Sequence, residues 1–119
     1  MSHFEDLNVW QKAVDLAVKV YEITRKEAFN KSDFSLKDQM RRASVSISSN
    51  ISEGDQMDSD KLSVRYLRIS KGSTAELYTQ SIIANKVGYL SPDDFEFLRR
   101  ECKEILSMLA KLIKHRVIS

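Results

Sequence analysis

One proline and three glycines in 119 residues leave this chain without the turn residues that a β-rich protein of its size consumes. A sheet fold is therefore disfavoured and a helical one expected. The single cysteine, Cys102, excludes an internal disulfide and fits a reducing compartment. No apolar run approaches the roughly 20 residues needed to cross a bilayer. Charge of one sign is also missing: 19 basic against 17 acidic residues give a net charge of +2, far from the basic excess of a strong nucleic-acid binder. The opening Met1 to Asp6 has neither the basic nor the apolar segment of an export signal, so a cytoplasmic, membrane-free protein is expected.

With 42% hydrophobic and 30% charged residues, the chain has enough apolar material for one core, and residues 1–119 read as one domain. Leu7, Trp10, Val14, Ala17 and Tyr21 recur at helical steps after a candidate cap, Asp6. The pattern breaks between Phe29 and Phe34, and Ser35 with Asp38 resembles a capping box that opens a second helix. Its inner stripe is Leu36, Met40, Ala43, Ile47 and Ile51, and Gly54 suits its left-handed C-terminal residue. The alternation of Val45 and Ile47 with Ser44, Ser46 and Ser48 would alone suit a short strand, but the longer helical period on both sides favours helix.

After the polar connection Asp55 to Asp60, a third helix of about 28 residues runs to Gly88 with Leu62, Tyr66, Ile69, Ser73, Leu77, Ala84 and Val87 at helical spacing. Ser91-Pro92-Asp93-Asp94 combines a hydroxyl cap, proline at the first helical position and acids at the positive helix end, which starts a fourth helix. Its stripe is Phe95, Leu98, Cys102, Ile105, Leu109 and Leu112. Four amphipathic helices with short links predict an all-α, antiparallel up-and-down four-helix bundle.

Several helices carry a second apolar stripe. Val9, Ala13, Leu16, Val20 and Ile23 widen the first helix's apolar arc, Val45 departs from the second helix's stripe, and Val64, Leu67, Ala75, Tyr78 and Ile82 form another on the third. Crossing angles inside a bundle bury part of such a surplus. Self-association accounts for it better, with Val9, Leu16, Val20, Val45, Val64, Leu67, Tyr78 and Ile82 as the expected interface. On that expectation a charge at Leu67 or Tyr78 dissociates the oligomer and spares helicity. Ser44, Ser48, Ser73 and Gly72 would let helices approach closely.

The opening Phe4-Glu5-Asp6-Leu7-Asn8-Val9-Trp10-Gln11-Lys12-Ala13, the segment Arg41 to Gly54, Gly72-Ser73-Thr74-Ala75-Glu76-Leu77 and Gly88-Tyr89-Leu90 together resemble the bacterial four-helix proteins encoded in intervening sequences of 23S ribosomal RNA genes, often labelled 23S rRNA-associated or ribosomal proteins. The resemblance spans nearly the whole chain. It implies a ring, a pentamer, similar to the accessory variability determinant proteins of diversity-generating retroelements, which bind nucleic acid and a reverse transcriptase. It implies no enzymatic activity and no cofactor. Ser48 stands where relatives commonly have proline and Ser52 where they have alanine, and Asp55, Asp58 and Asp60 make acidic a connection that is often basic.

Two sets of polar residues remain. Lys61, Arg65, Arg68 and Lys71 on the third helix, with Lys37 and Arg41 on the second, form a candidate RNA-phosphate patch, whose bland alternative is a solvated face. Arg42, Asn50, Glu53 and Glu76 form a candidate buried network that fixes helix register, with Arg42 reaching Glu53 or Glu76. Catalytic patterns are weak. Neither His3 nor His115 follows a glutamate by three residues, as di-iron bundles require; the arginine-to-histidine spacing of the HEPN ribonucleases is missing; and there is no Cys/His metal cluster or phosphate-cradling glycine loop. The sequence therefore predicts a non-enzymatic, homo-oligomeric, RNA- or ribonucleoprotein-associated scaffold, or alternatively an oligomeric protein-binding module with no nucleic-acid role.

Overall fold

The computed structural model describes residues 4–118, with side chains throughout except at 30–32 and 118, so His3 and the first three residues lie outside it. After a 3-10 turn at Phe4–Asp6 come α1 (Asn8–Thr24), α2 (Glu27–Ser32), α3 (Phe34–Asp55), α4 (Asp60–Lys86) and α5 (Pro92–Ile118), and no strand occurs among the described residues. The alternating Ser44 to Ser48 segment is the middle of α3. The result is a helical bundle 47 Å long and 20 by 18 Å across.

The helix boundaries follow their caps. Ser91 accepts a hydrogen bond from the Asp94 N–H at 3.1 Å and Ser59 accepts one from the Leu62 N–H at 3.2 Å. At α3 the cap is Asp33 rather than Ser35: its carboxylate accepts from the Leu36 N–H at 3.0 Å, which puts Ser35 inside the helix. Asp6 likewise sits in the 3-10 turn, with Leu7 preceding α1. The expected break before α3 contains the short helix α2, whose Phe29 is fully buried with its ring 5.3 Å from that of Tyr89. Hydrophobic plugging of the bundle end stabilises a helix too short to persist alone.

The left-handed helix end belongs to Gly88, not Gly54. Gly88 has φ of +87°, and the Tyr89 N–H donates to the Ala84 carbonyl at 2.9 Å while the Gly88 N–H donates to Asn85 at 3.1 Å, a Schellman motif. Gly54 remains helical, and its reason is space: a Cβ there would lie 3.0 Å from the Ser63 carbonyl oxygen and 3.2 Å from Tyr66 Cβ. Gly72 shows the reverse. A Cβ at this position meets nothing within 4 Å, so no close packing within the chain explains it. Gly72→Ala should therefore raise stability by about 0.5–1 kcal/mol through helix propensity, seen as a higher urea midpoint at unchanged m-value.

Contacts in the core run α1 to α3 and α5, α3 to α4, and α4 to α5. Partner numbers descend on one helix as they ascend on the next. Ser46 meets Ser73 and Gly54 meets Ser63; Lys12 bridges Glu101 and Glu104 while Lys19 lies over Phe97; Tyr78 meets Lys103 while Ser63 meets Arg116. Leu16, Val20, Ile23, Met40, Ile47, Ile51, Leu67, Leu77, Leu98, Ile105 and Leu109 are the large aliphatic side chains sealed inside.

This core corrects the interface expected from the sequence. Val9, Leu16 and Val20 of α1 and Val64 and Leu67 of α4 are buried within the chain, none more than 8% exposed, so they are not available to a second copy. The stripe Leu7, Trp10, Val14, Ala17 and Tyr21, expected at the centre, is the half-buried rim. The two stripes of α1 adjoin, and period alone does not say which points at the other helices. On α4, Leu62 and Ile69 are 45% and 46% exposed, while Ser70, Thr74 and Ser81 take the inner positions. Their hydroxyls donate to the carbonyls of Ile47, Ser70 and Leu77 at 2.8, 2.9 and 2.8 Å, so small polar side chains are buried cheaply where helices come close.

Candidate nucleic-acid interface

The α3–α4 contact fixes where every candidate cation lies. Its anchors run from Ser46 opposite Ser73, at 2.8 Å between hydroxyl oxygens, to Gly54 against Ser63 and Tyr66. Lys61, Arg65, Arg68 and Lys71 belong to the Gly54 half of α4, whereas Lys37 and Arg41 lie beyond the Ser46 end of α3. The six residues do not form one patch. Arg41 is also engaged: its guanidinium lies 4.4 Å from the centre of the Tyr21 ring, and its Nε donates to Thr24 Oγ1 at 2.9 Å. Lys37 covers the Phe34 ring at 4.2 Å.

Lys61, Arg65, Arg68 and Lys71 are exposed, and among the described residues none has an ion-pair partner. Other cations are neutralised nearby: Lys12 by Glu101 at 3.0 Å and Glu104 at 3.3 Å, Lys26 by Asp94, Arg99 by Glu96, and Arg116 by Asp55 at 3.2 Å. The Glu101 hydrogen bond holds the Lys12 ammonium above its ordinary range. The strip on α4 is thus left with uncompensated charge over about 15 Å of helix.

Sequence reasoning missed the contribution of α5. Lys103 lies 5.9 Å from the centre of the Tyr78 ring, and Arg116 donates to Ser63. That register puts exposed Lys114 at the same end of the molecule as Lys61 and Arg65. The late-helix cations of α5, which the helix dipole alone accounts for, are the signal that pointed there.

The expected polar network takes different members. Arg42 pairs with Asp38 of its own helix at 3.0 Å, and Glu53 and Glu76 are exposed, so Arg42 reaches neither. All lie on the side of α3 or α4 turned from the core. Asn50 does participate: its Nδ2 donates to the Ser46 carbonyl at 2.9 Å and to Ser46 Oγ at 3.0 Å, extending the link to Ser73. Of the remaining interface candidates, Tyr78 and Ile82 are half-buried and Val45 is 42% exposed. Val45 stands beside a groove of about 310 Å³ between α1 and α3, walled by Val14, Ala17, Val18, Tyr21 and Ser48. A second groove, about 460 Å³, continues it from Tyr21 to Val45.

Among the described residues no cluster of three His, Cys, Asp or Glu side chains is placed to hold a metal, and no helix is long and apolar enough to cross a membrane. Cys102 is sealed in the core, where burial pushes its thiol up to about 12, with the neighbouring Glu101 carboxylate adding to the shift. A thiol reagent at neutral pH should leave Cys102 untouched in the folded protein and modify it stoichiometrically in denaturant. Rapid labelling of the native state would contradict that burial.

The family model described as 23S rRNA-intervening sequence protein matches residues 5–111. The chain belongs to this family. Its backbone is similar to that of a protein of unknown function from the S23 ribosomal protein family of Bacteroides thetaiotaomicron, with a TM-score of 0.81 and 24% identity over 89% of this chain and 98% of the other. At that identity the likeness concerns the fold. No curated protein matches the sequence. The conserved shape of the family thus accompanies an arrangement whose most unbalanced surface is the α4 strip.

Proposed function

We propose that this member of the family is a non-catalytic, homo-oligomeric scaffold for RNA, built as an antiparallel up-and-down four-helix bundle. The supporting observation is the strip Lys61, Arg65, Arg68 and Lys71, exposed and uncompensated, with Lys103 and Lys114 of α5 beside it. Phosphates neutralised there release counterions, so affinity falls as salt rises. No exposed aromatic side chain stands in the strip to stack on bases, which favours backbone contact over sequence readout. The setting is cytoplasmic and no cofactor is required.

The test is a titration of a 23S ribosomal RNA fragment, with a polyanion such as heparin as the control, at low and near-physiological salt. Saturable binding that prefers the RNA is expected. Arg65→Glu with Arg68→Glu should reduce affinity at least tenfold at low salt and lower the slope of log affinity on log salt by about 1.5. Absence of binding even at low salt overturns the proposal. A second reading, an oligomeric protein-binding module, draws support from the apolar groove between α1 and α3. In that case both reversals leave partner binding intact.

A further inference from the structure

The outer face of α4 carries Leu62, Ile69, Glu76 and Ile83 at intervals of seven residues, with Gly72 and Ser73 at mid-helix. Leu62, Ile69 and Ile83 are 45%, 46% and 47% exposed, unusual for three large aliphatics on one helix face. This face is symmetric about the Gly72–Ser73 midpoint. Leu62 lies as far before it as Ile83 lies after it, and Ile69 as far before it as Glu76 after it. Gly72 has open space where its Cβ would be, so the absence of a side chain answers no need inside the chain.

We propose that α4 pairs end-for-end with α4 of a second copy, across a two-fold axis at Gly72–Ser73. In such an isologous contact Leu62 of each copy packs on Ile83 of the other, and Gly72 sits at the crossing, where backbones approach most closely. Charge fits as well. Glu76 is the only acid between Lys61 and Lys86, and in the pair it comes within one turn of Arg65 and Arg68 of the other copy. None of the three has an ion-pair partner within its own chain among the described residues. Lys61 and Lys86 fall at the ends of the contact, where they stay in water.

The geometry has a consequence for the basic strip. A two-fold axis normal to the plane of two antiparallel helices keeps the same flank of both on one side. Lys61, Arg68 and Lys71 of the two copies then line a single face, doubling its length. The pairing itself does not depend on RNA, and it is tested without RNA.

Gly72→Cys and Thr79→Cys proteins, each folded by circular dichroism, are incubated with glutathione disulfide and resolved by non-reducing electrophoresis. Cys102 is buried and does not compete. Position 72 meets its own symmetry mate at the axis, whereas position 79, exposed on the same side of the helix, is about 20 Å from its mate. The pairing predicts a cross-linked dimer for Gly72→Cys at least tenfold more abundant than for Thr79→Cys. Adding Glu76→Arg to Gly72→Cys should suppress that dimer, and the further changes Arg65→Glu and Arg68→Glu should restore it. Equal cross-linking at the two positions, none at either, or indifference to the charge swap overturns the proposal. Loss of RNA retention with intact cross-linking would instead overturn the RNA reading alone.

Discussion

Leu67→Asp is expected to unfold the chain, not to dissociate an assembly of folded copies. Leu67 is fully buried between α4 and its neighbours, beside Gly54 of α3. Truncating a buried leucine costs about 2–5 kcal/mol, and an uncompensated carboxylate in its place adds several more. The sum rivals the roughly 5–15 kcal/mol that holds a small domain folded. Far-UV circular dichroism should show most helicity lost at room temperature. A Leu67→Asp protein with native helicity and only a smaller mass would return Leu67 to the surface. Tyr78, half-buried under Lys103, is a milder case at which a charge is better tolerated.

Arg116→Met should cost about 3–5 kcal/mol, the second-largest effect of a single change. Arg116 of α5 reaches Asp55 at the end of α3, whose side chain is 1% exposed, and donates to Ser63 in the first turn of α4. One guanidinium thus ties three helices at one end of the bundle. Removing it takes the cation from a carboxylate that is already out of water, which is costlier than never burying the pair. Asp55→Asn combined with Arg116→Met should therefore recover part of the loss, and chemical denaturation of the single and double variants measures it. Equal stabilities for wild type and Arg116→Met would mean that the link contributes nothing.

The acidic connection looks different in this light. From the sequence, Asp55, Asp58 and Asp60 weaken any RNA contact by their loop. In the fold Asp55 faces inward to Arg116, and Asp60 begins α4 at the helix's positive end. The acids serve the joint between helices, and the cations a turn further along α4 remain exposed. Nothing in the spacing of these residues revealed that division, because Arg116 is 61 residues from Asp55.

Helix content, the start of α5 at Ser91-Pro92, the inner stripe of α3 and the membership of the family were all legible in the amino-acid order. These features depend on near-neighbour chemistry: turn residues, caps and a period of 3.6 are written within a few positions of each other. Which of two adjoining stripes on α1 faces inward was not. Nor was the exchange of Leu62 and Ile69 for buried serines and a threonine on α4, the true left-handed end at Gly88, or the separation of Arg41 from Arg65. Those depend on how close two helices come and on which carbonyl a hydroxyl finds, and only the packing of distant segments decides them. Hydropathy along one helix counts the cost of burying a serine, but its hydrogen bond to a carbonyl four residues back, or on the next helix, largely removes that cost.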